Sequence, residues 1–142
     1  MALSKKSNVN PKVFGPSFWQ VIHFTAFGYP DSPNDEDKEV YYTFYKNIMK
    51  ILPCDSCATS AQKLFKKLDI REYLDSREDL IRWTYLFHKS VNDKLKVESP
   101  SFEEFKYNFT HSNKTEMYKH AIVILTIIVI LLLAIILLTH CT

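Results

Sequence analysis

The chain has 142 residues, with 18 basic and 16 acidic side chains and a formal net charge of +2. So small a charge, without a basic stripe interleaved with aromatics, excludes a nucleic-acid-binding surface. Aromatic residues make up 14%, which in so short a chain means a ring-rich core or a place for a flat ligand.

The pattern is helical throughout, with no period-two strand. Residues 1–10 read as a flexible polar tail. Gly15-Pro16 opens a first helix, proline being tolerated in a first turn. Trp19, Ile22, His23 and Ala26 share one face of it, and Gly28 followed by Pro30 stops it. Asp31 to Asp37 form a polar loop. Val40, Phe44, Ile48 and Ile51 stripe a second helix, ended at Pro53. The third begins at Cys54-Asp55-Ser56-Cys57, with Ala58, Ala61, Leu64, Phe65 and Leu68 as its inner face. Ser76 and Asp79 resemble a capping box for a fourth helix, whose inner side carries Leu80, Thr84, Phe87, His88, Val91 and Leu95. Pro100 and Ser101 open a short fifth, to about Tyr107. A polar linker follows over 108–120. The expected class is all-α: a four-helix bundle plus a short fifth helix, packed antiparallel because the loops are short.

From Ala121 to Thr139 no residue is charged, and only Thr126 and Thr139 are polar. As a helix this run spans roughly 28 Å, the hydrocarbon thickness of a bilayer. It is expected to be a single C-terminal membrane anchor, with 140–142 a short tail beyond it. About 120 residues remain, enough for one domain. No signal peptide precedes them: Met1 to Val13 has Lys5 and Lys6 but no apolar run. Lys106, Lys114 and Lys119 precede the anchor, which sets the domain on the cytosolic side. The sequons at Asn108 and Asn113 would be used only on the other side.

Two thiols spaced as Cys54 and Cys57 can close a disulfide that other thiols attack. Pro53 precedes them, and the helix start that follows favours thiolate over thiol. In such a pair the first sulfur faces solvent and the second lies deeper. A structural disulfide does not suit a cytosolic face. A zinc site needs two more ligands, and His23, His88 and His111 lack finger spacing. A thioredoxin-like motif wants a βαβ context that is absent. Trp19 and His23 lie four apart, as do His88 and Asn92, and Trp83 adds a ring. Each alone is ordinary core; together with the cysteines they point to a dithiol beside a bound planar cofactor. The chain has only two glycines and no Gly-x-Gly-x-x-Gly, so a nucleotide is held by stacking and side-chain hydrogen bonds between helices, not by a phosphate-binding loop.

Gly15-Pro16-Ser17-Phe18-Trp19-Gln20-Val21-Ile22-His23, then Tyr29-Pro30, Pro53-Cys54-Asp55-Ser56-Cys57, Trp83 and His88-Lys89-Ser90-Val91-Asn92-Asp93-Lys94-Leu95, in that order over residues 11–107, resemble the Erv/ALR family of FAD-linked sulfhydryl oxidases. Gly-Pro before the Trp and the lack of further cysteines are similar to the branch encoded by large cytoplasmic DNA viruses. The resemblance implies noncovalent FAD and a homodimer. Gly15, Trp19 and His23 would contact the cofactor from the first helix, His88 and Asn92 would hold its adenosine part, and Lys94 and Lys96 would supply a cation. Cys54 would meet the substrate, with Cys57 on the flavin side. The implied activity oxidises protein thiols to disulfides with O₂ as acceptor and H₂O₂ as product, serving viral proteins at a host or virion membrane. The partners are protein thiols or a small thioredoxin-like relay. Two departures stand out: Lys89 replaces an Asn of the family motif, and no distal shuttle cysteines are present. Cys141, beyond the anchor, reads as idle or lipidated. The rival readings are a tail-anchored interaction protein with an incidental Cys pair and a membrane-bound zinc module.

Overall fold

The computed structural model describes residues 8–140; the side chains of residues 112–118, 120, 121, 134, 135 and 137–140 lie outside the description. The described residues form α1 (Pro11–Phe27), α2 (Asp35–Ile51), α3 (Asp55–Lys67), a 3₁₀ turn (Ile70–Tyr73), α4 (Arg77–Leu95) and α5 (Phe102–His140), with no strand among them. The chain divides into two compact units, Met1–Pro100 and Ser101–Thr142.

In the first unit α1 begins a turn earlier than Gly15-Pro16 suggests. The Asn10 side chain accepts the Lys12 N–H at 3.0 Å, and Pro11 takes the first helical position, where a missing N–H costs nothing. Pro16 therefore lies inside the helix. The expected loop 31–37 is shorter, because Asn34 and Asp37 cap α2 reciprocally at 2.8 and 3.0 Å. The acidic first turn of Asp35, Glu36 and Asp37 complements the helix dipole. The inner face of α2 is also rotated from the expected one. Val40 and Ile51 are exposed, whereas Tyr45, Ile48 and Met49 are buried. At α4 the Ser76 hydroxyl accepts the Asp79 N–H at 3.2 Å, as expected of a cap. The same hydroxyl donates to the Asp79 carboxylate at 2.6 Å. The helix ends at Lys96 in a left-handed conformation (φ 57°), leaving Leu95 exposed rather than inward.

Helix α1 packs on α4 and α2 on α3. Trp83 is the centre of the core. It is fully buried, its ring meets Tyr45, Phe65 and Phe87 at 5.1, 5.8 and 5.0 Å, and its indole N–H donates to the Leu68 carbonyl at 3.0 Å. The Tyr45 hydroxyl donates to the Ile22 carbonyl at 2.9 Å, tying α2 to α1. Tyr29, equally buried, donates to the Leu74 carbonyl at 2.9 Å. Each polar tip on a large buried ring thus has a partner, as burial requires.

In the second unit the expected short helix, linker and anchor are one continuous helix, α5. After Pro100 the sequence contains neither Gly nor Pro, so nothing in the backbone chemistry ends the helix near Tyr107. Among the described residues no helix is long and apolar enough to cross a membrane. The expected span 121–139 falls partly on positions whose side chains are outside the description, and Cys141 and Thr142 lie outside it altogether.

Candidate functional site

Three helix ends converge at one end of the bundle. His23 meets Thr84 and His88, and Trp19 meets Phe87 and His88, so α1 and α4 run antiparallel, the α1 start lying towards the α4 end. The Val9 N–H donates to the Pro53 carbonyl at 2.7 Å, fixing the start of α1 beside the start of α3. Near the end of α4 the Lys94 ammonium donates to the Ser60 hydroxyl at 3.2 Å, one turn beyond Cys57 on α3. The sequence-predicted residues Gly15, Trp19, His88, Asn92, Lys94, Cys54 and Cys57 are therefore carried by the elements that meet at this end.

Cys54 and Cys57 are joined in a disulfide with Cα atoms 5.2 Å apart. Cys54 is itself the N-cap of α3: its sulfur accepts the Cys57 N–H at 3.3 Å and lies 3.4 Å from the Ser56 hydroxyl. A capping side chain folds back over the first turn, which tucks this sulfur in. Cys54 is 5% exposed and Cys57 is half-buried, the reverse of the expected order. The cap also places the Cys54 sulfur at the positive end of the helix dipole, an arrangement that stabilises a thiolate there.

The aromatic wall stands on α1 and α4. Trp19 stacks on His88 with centroids 3.7 Å apart and planes 9° from parallel. Both rings are half-buried, so part of each remains accessible. Four residues before Trp19 on the same helix, Gly15 leaves open space: a Cβ built there meets nothing within 4 Å. A glycine within a helix is disfavoured, and here no packing partner accounts for it. An open patch beside two stacked, half-exposed rings fits a flat ligand such as an isoalloxazine or adenine ring.

His23 is buried behind the aromatic wall. It is 1% exposed, with Nδ1 3.1 Å from the Thr84 hydroxyl and Nε2 2.9 Å from His88 Nδ1. Burial, aided by the neighbouring His88, pushes the His23 pKa down to about 3, and burial pushes His88 down to about 4. Both imidazoles are therefore neutral at neutral pH. Asn92 is half-buried, its amide donating to the Ser99 hydroxyl at 3.1 Å. Lys96 is exposed at the α4 C-cap. Lys89, where the family motif has Asn, reaches Asp93 one turn on, at 2.9 Å.

Sequence reasoning placed Thr84 only as part of an apolar stripe. The available signal was its position four residues before His88 on an inward face, where a buried hydroxyl requires a partner.

The Erv1 / Alr family model matches residues 16–113. A probable FAD-linked sulfhydryl oxidase of Acanthamoeba polyphaga mimivirus is 38% identical over 85 residues, 59% of this chain and 59% of that protein. The FAD-linked sulfhydryl oxidase of African swine fever virus (isolate Pig/Kenya/KEN-50/1950) is 31% identical over 70% of this chain and 82% of its own length. The chain thus spans about four fifths of one of these relatives and about three fifths of the other. The crystal structure of the FAD-binding domain of Erv1 from Saccharomyces cerevisiae superposes with a TM-score of 0.67 at 28% identity, over 71% of this chain and 94% of that one.

Proposed function

The chain belongs to the Erv1 / Alr family, and on that footing we propose that it is an FAD-linked sulfhydryl oxidase that makes disulfides in protein clients. The observation that carries this reading is the Cys54–Cys57 disulfide capping α3 where the start of α1 and the end of α4 meet it, on the two helices that carry the stacked Trp19 and His88 rings. An interaction module with incidental cysteines has no use for this convergence.

A client thiolate attacks the Cys54 sulfur, the Cys54–Cys57 bond breaks, and Cys57 leaves as thiolate. The client is then held to Cys54 as a mixed disulfide. A second client thiolate attacks the client sulfur, and Cys54 leaves as thiolate. That departure is eased by the Cys57 N–H aimed at its sulfur and by the helix start. The client gains a disulfide, and the enzyme pair holds two electrons. Gly15, Trp19, His88, Asn92 and Lys94 would hold FAD, which would supply the two-electron acceptor for the reduced pair and the outlet to O₂, with H₂O₂ as product.

The reading extends to place and partners. The described side chains of α5 from Ile122 to Leu133 are apolar except Thr126, and the large ones are each between 46 and 64% exposed. A helix apolar on every side suits lipid, which supports a membrane anchor; Lys106, Lys114 and Lys119 before it support a cytosolic orientation. On α1, exposed Val13, Val21 and Phe24 offer an apolar face to a second copy; sedimentation as a monomer at all concentrations would remove that homodimer. Clients are viral proteins docking directly at Cys54 or through a small thioredoxin-like relay.

The purified protein is expected to be yellow, to bleach anaerobically with a dithiol and to consume O₂ aerobically. Cys57→Ser should stay yellow and lose turnover. A correctly folded, colourless protein that does not take up added FAD refutes the reading.

A further inference from the structure

Thr84 is absent from the cysteine chemistry, yet it ends a chain of buried hydrogen bonds that leads outward to the aromatic wall. We infer that Thr84 is a positioning residue that fixes His88 Nε2 as a hydrogen-bond acceptor, so that the site takes a ligand edge carrying N–H or O–H groups. The inference rests on the FAD reading above and adds to it what sets the protonation of His88.

The argument follows the protons. The Ile81 carbonyl oxygen can only accept, and the Thr84 hydroxyl lies 2.9 Å from it, so the hydroxyl hydrogen points there. Thr84 Oγ1 is then an acceptor towards His23 Nδ1 at 3.1 Å, and His23 must carry its proton on Nδ1. A neutral imidazole holds one N–H, so His23 Nε2 is an acceptor. Its partner 2.9 Å away, His88 Nδ1, must donate. His88 is likewise neutral, which leaves Nε2, on the far side of its ring from His23, with a lone pair and no proton. With the Thr84 hydroxyl donating to the Ile81 carbonyl, this is the order of donors and acceptors that pairs every group in the relay. The burial of His23 and Thr84, 1 and 0% exposed, keeps water from reversing it.

The chemical consequence is selective. An adenine amino group or a ribose hydroxyl can donate to this nitrogen. A phosphate oxygen without a proton cannot, and would face lone pair against lone pair. Thr84 touches no ligand itself; its effect is exerted through His23 and His88.

The test is long-range ¹H–¹⁵N correlation spectroscopy on the full chain in neutral detergent, ¹⁵N-labelled at histidine, with and without FAD. Both His23 and His88 are expected as the Nδ1–H tautomer. Thr84→Val keeps the shape and removes the acceptor; it should shift both rings towards Nε2–H and weaken FAD binding by about tenfold, the loss expected of one buried hydrogen bond. Thr84→Ser should retain the tautomers and bind FAD within about twofold of the parent, since the hydroxyl is kept. A parent protein showing His88 as Nε2–H, or a Thr84→Val variant with unchanged tautomers and affinity, overturns the inference. If Thr84→Val fails to fold, the parent spectrum and Thr84→Ser still decide. A parent that binds no FAD defeats the oxidase reading instead, while its tautomers still report on the relay.

Discussion

The buried histidine pair makes stability fall steeply in mild acid. In the unfolded chain His23 titrates at its ordinary value of 6.5; in the folded protein burial holds it to about 3. Between those values the unfolded state carries a proton that the folded state refuses. The contribution of neutral His23 is thus fully present above pH 6.5 and declines as pH falls towards 3. Each pH unit in that window removes about 1.4 kcal/mol. From pH 6.5 to 4.5 the loss is about 2.5 kcal/mol from His23. His88, partly open to solvent, adds about 1 kcal/mol after allowance for screening. Carboxylates also titrate near the lower limit, so the measurement is a difference. Urea denaturation, followed by tryptophan fluorescence on the full chain in neutral detergent with matched flavin content, is run at pH 7 and 4.5 for the parent and for His23→Gln. The parent should lose about 2–3 kcal/mol more than the variant across this interval. Parallel losses would show that His23 takes up a proton freely in the fold, and the tight Thr84–His23–His88 packing would then be wrong.

Two further outcomes follow from other parts of the molecule. Gly15→Ala places a Cβ in open space, so the flavin-free protein should gain about 0.5–1 kcal/mol in urea denaturation. If a flat ligand lies against that patch, its affinity, measured by flavin fluorescence titration, should fall by about tenfold or more through overpacking; tighter or equal binding places the ligand elsewhere. At Ile130, 64% exposed on α5, substitution to Lys should reduce carbonate-resistant membrane association of the full chain, because a lysine at a helix centre costs about 3 kcal/mol to insert. Unchanged association, or none in the parent, removes the anchor.

Local chemistry was legible in the sequence wherever one residue decides the outcome. The α3 start follows from a proline and a capping side chain at Cys54, and the α4 start from Ser76. The phase of α2 was not legible, because Tyr41, Tyr42, Phe44 and Tyr45 put rings on every side and no single apolar stripe stands out. The α1 start was missed because Asn10-Pro11 and Gly15-Pro16 both carry proline signals, and only the cap bond from Asn10 separates them. The fifth helix was cut short on polarity alone. Residues 108–120 are polar, but polarity does not end a helix; Gly, Pro or a competing cap does.

The candidate site was legible in its members and not in their roles. Trp19 with His23, and His88 with Asn92, could be read as helix faces, since four-residue spacing is a local property. What each does depends on contacts that no local pattern encodes: His23 to Thr84 across 61 residues, His23 to His88 across 65, Lys94 to Ser60 across 34. Those contacts bury His23 between Thr84 and His88. They also join an inward-facing threonine to the part of the protein that would meet the cofactor. The cysteine pair shows the same division. Its spacing announces a disulfide, but which sulfur is covered depends on Cys54 acting as the cap of α3. The sulfur assigned to meet clients is the more buried of the two, at 5% exposure. The backbone bond from Val9 to Pro53, one residue before that sulfur, fixes the start of α3 beside the start of α1.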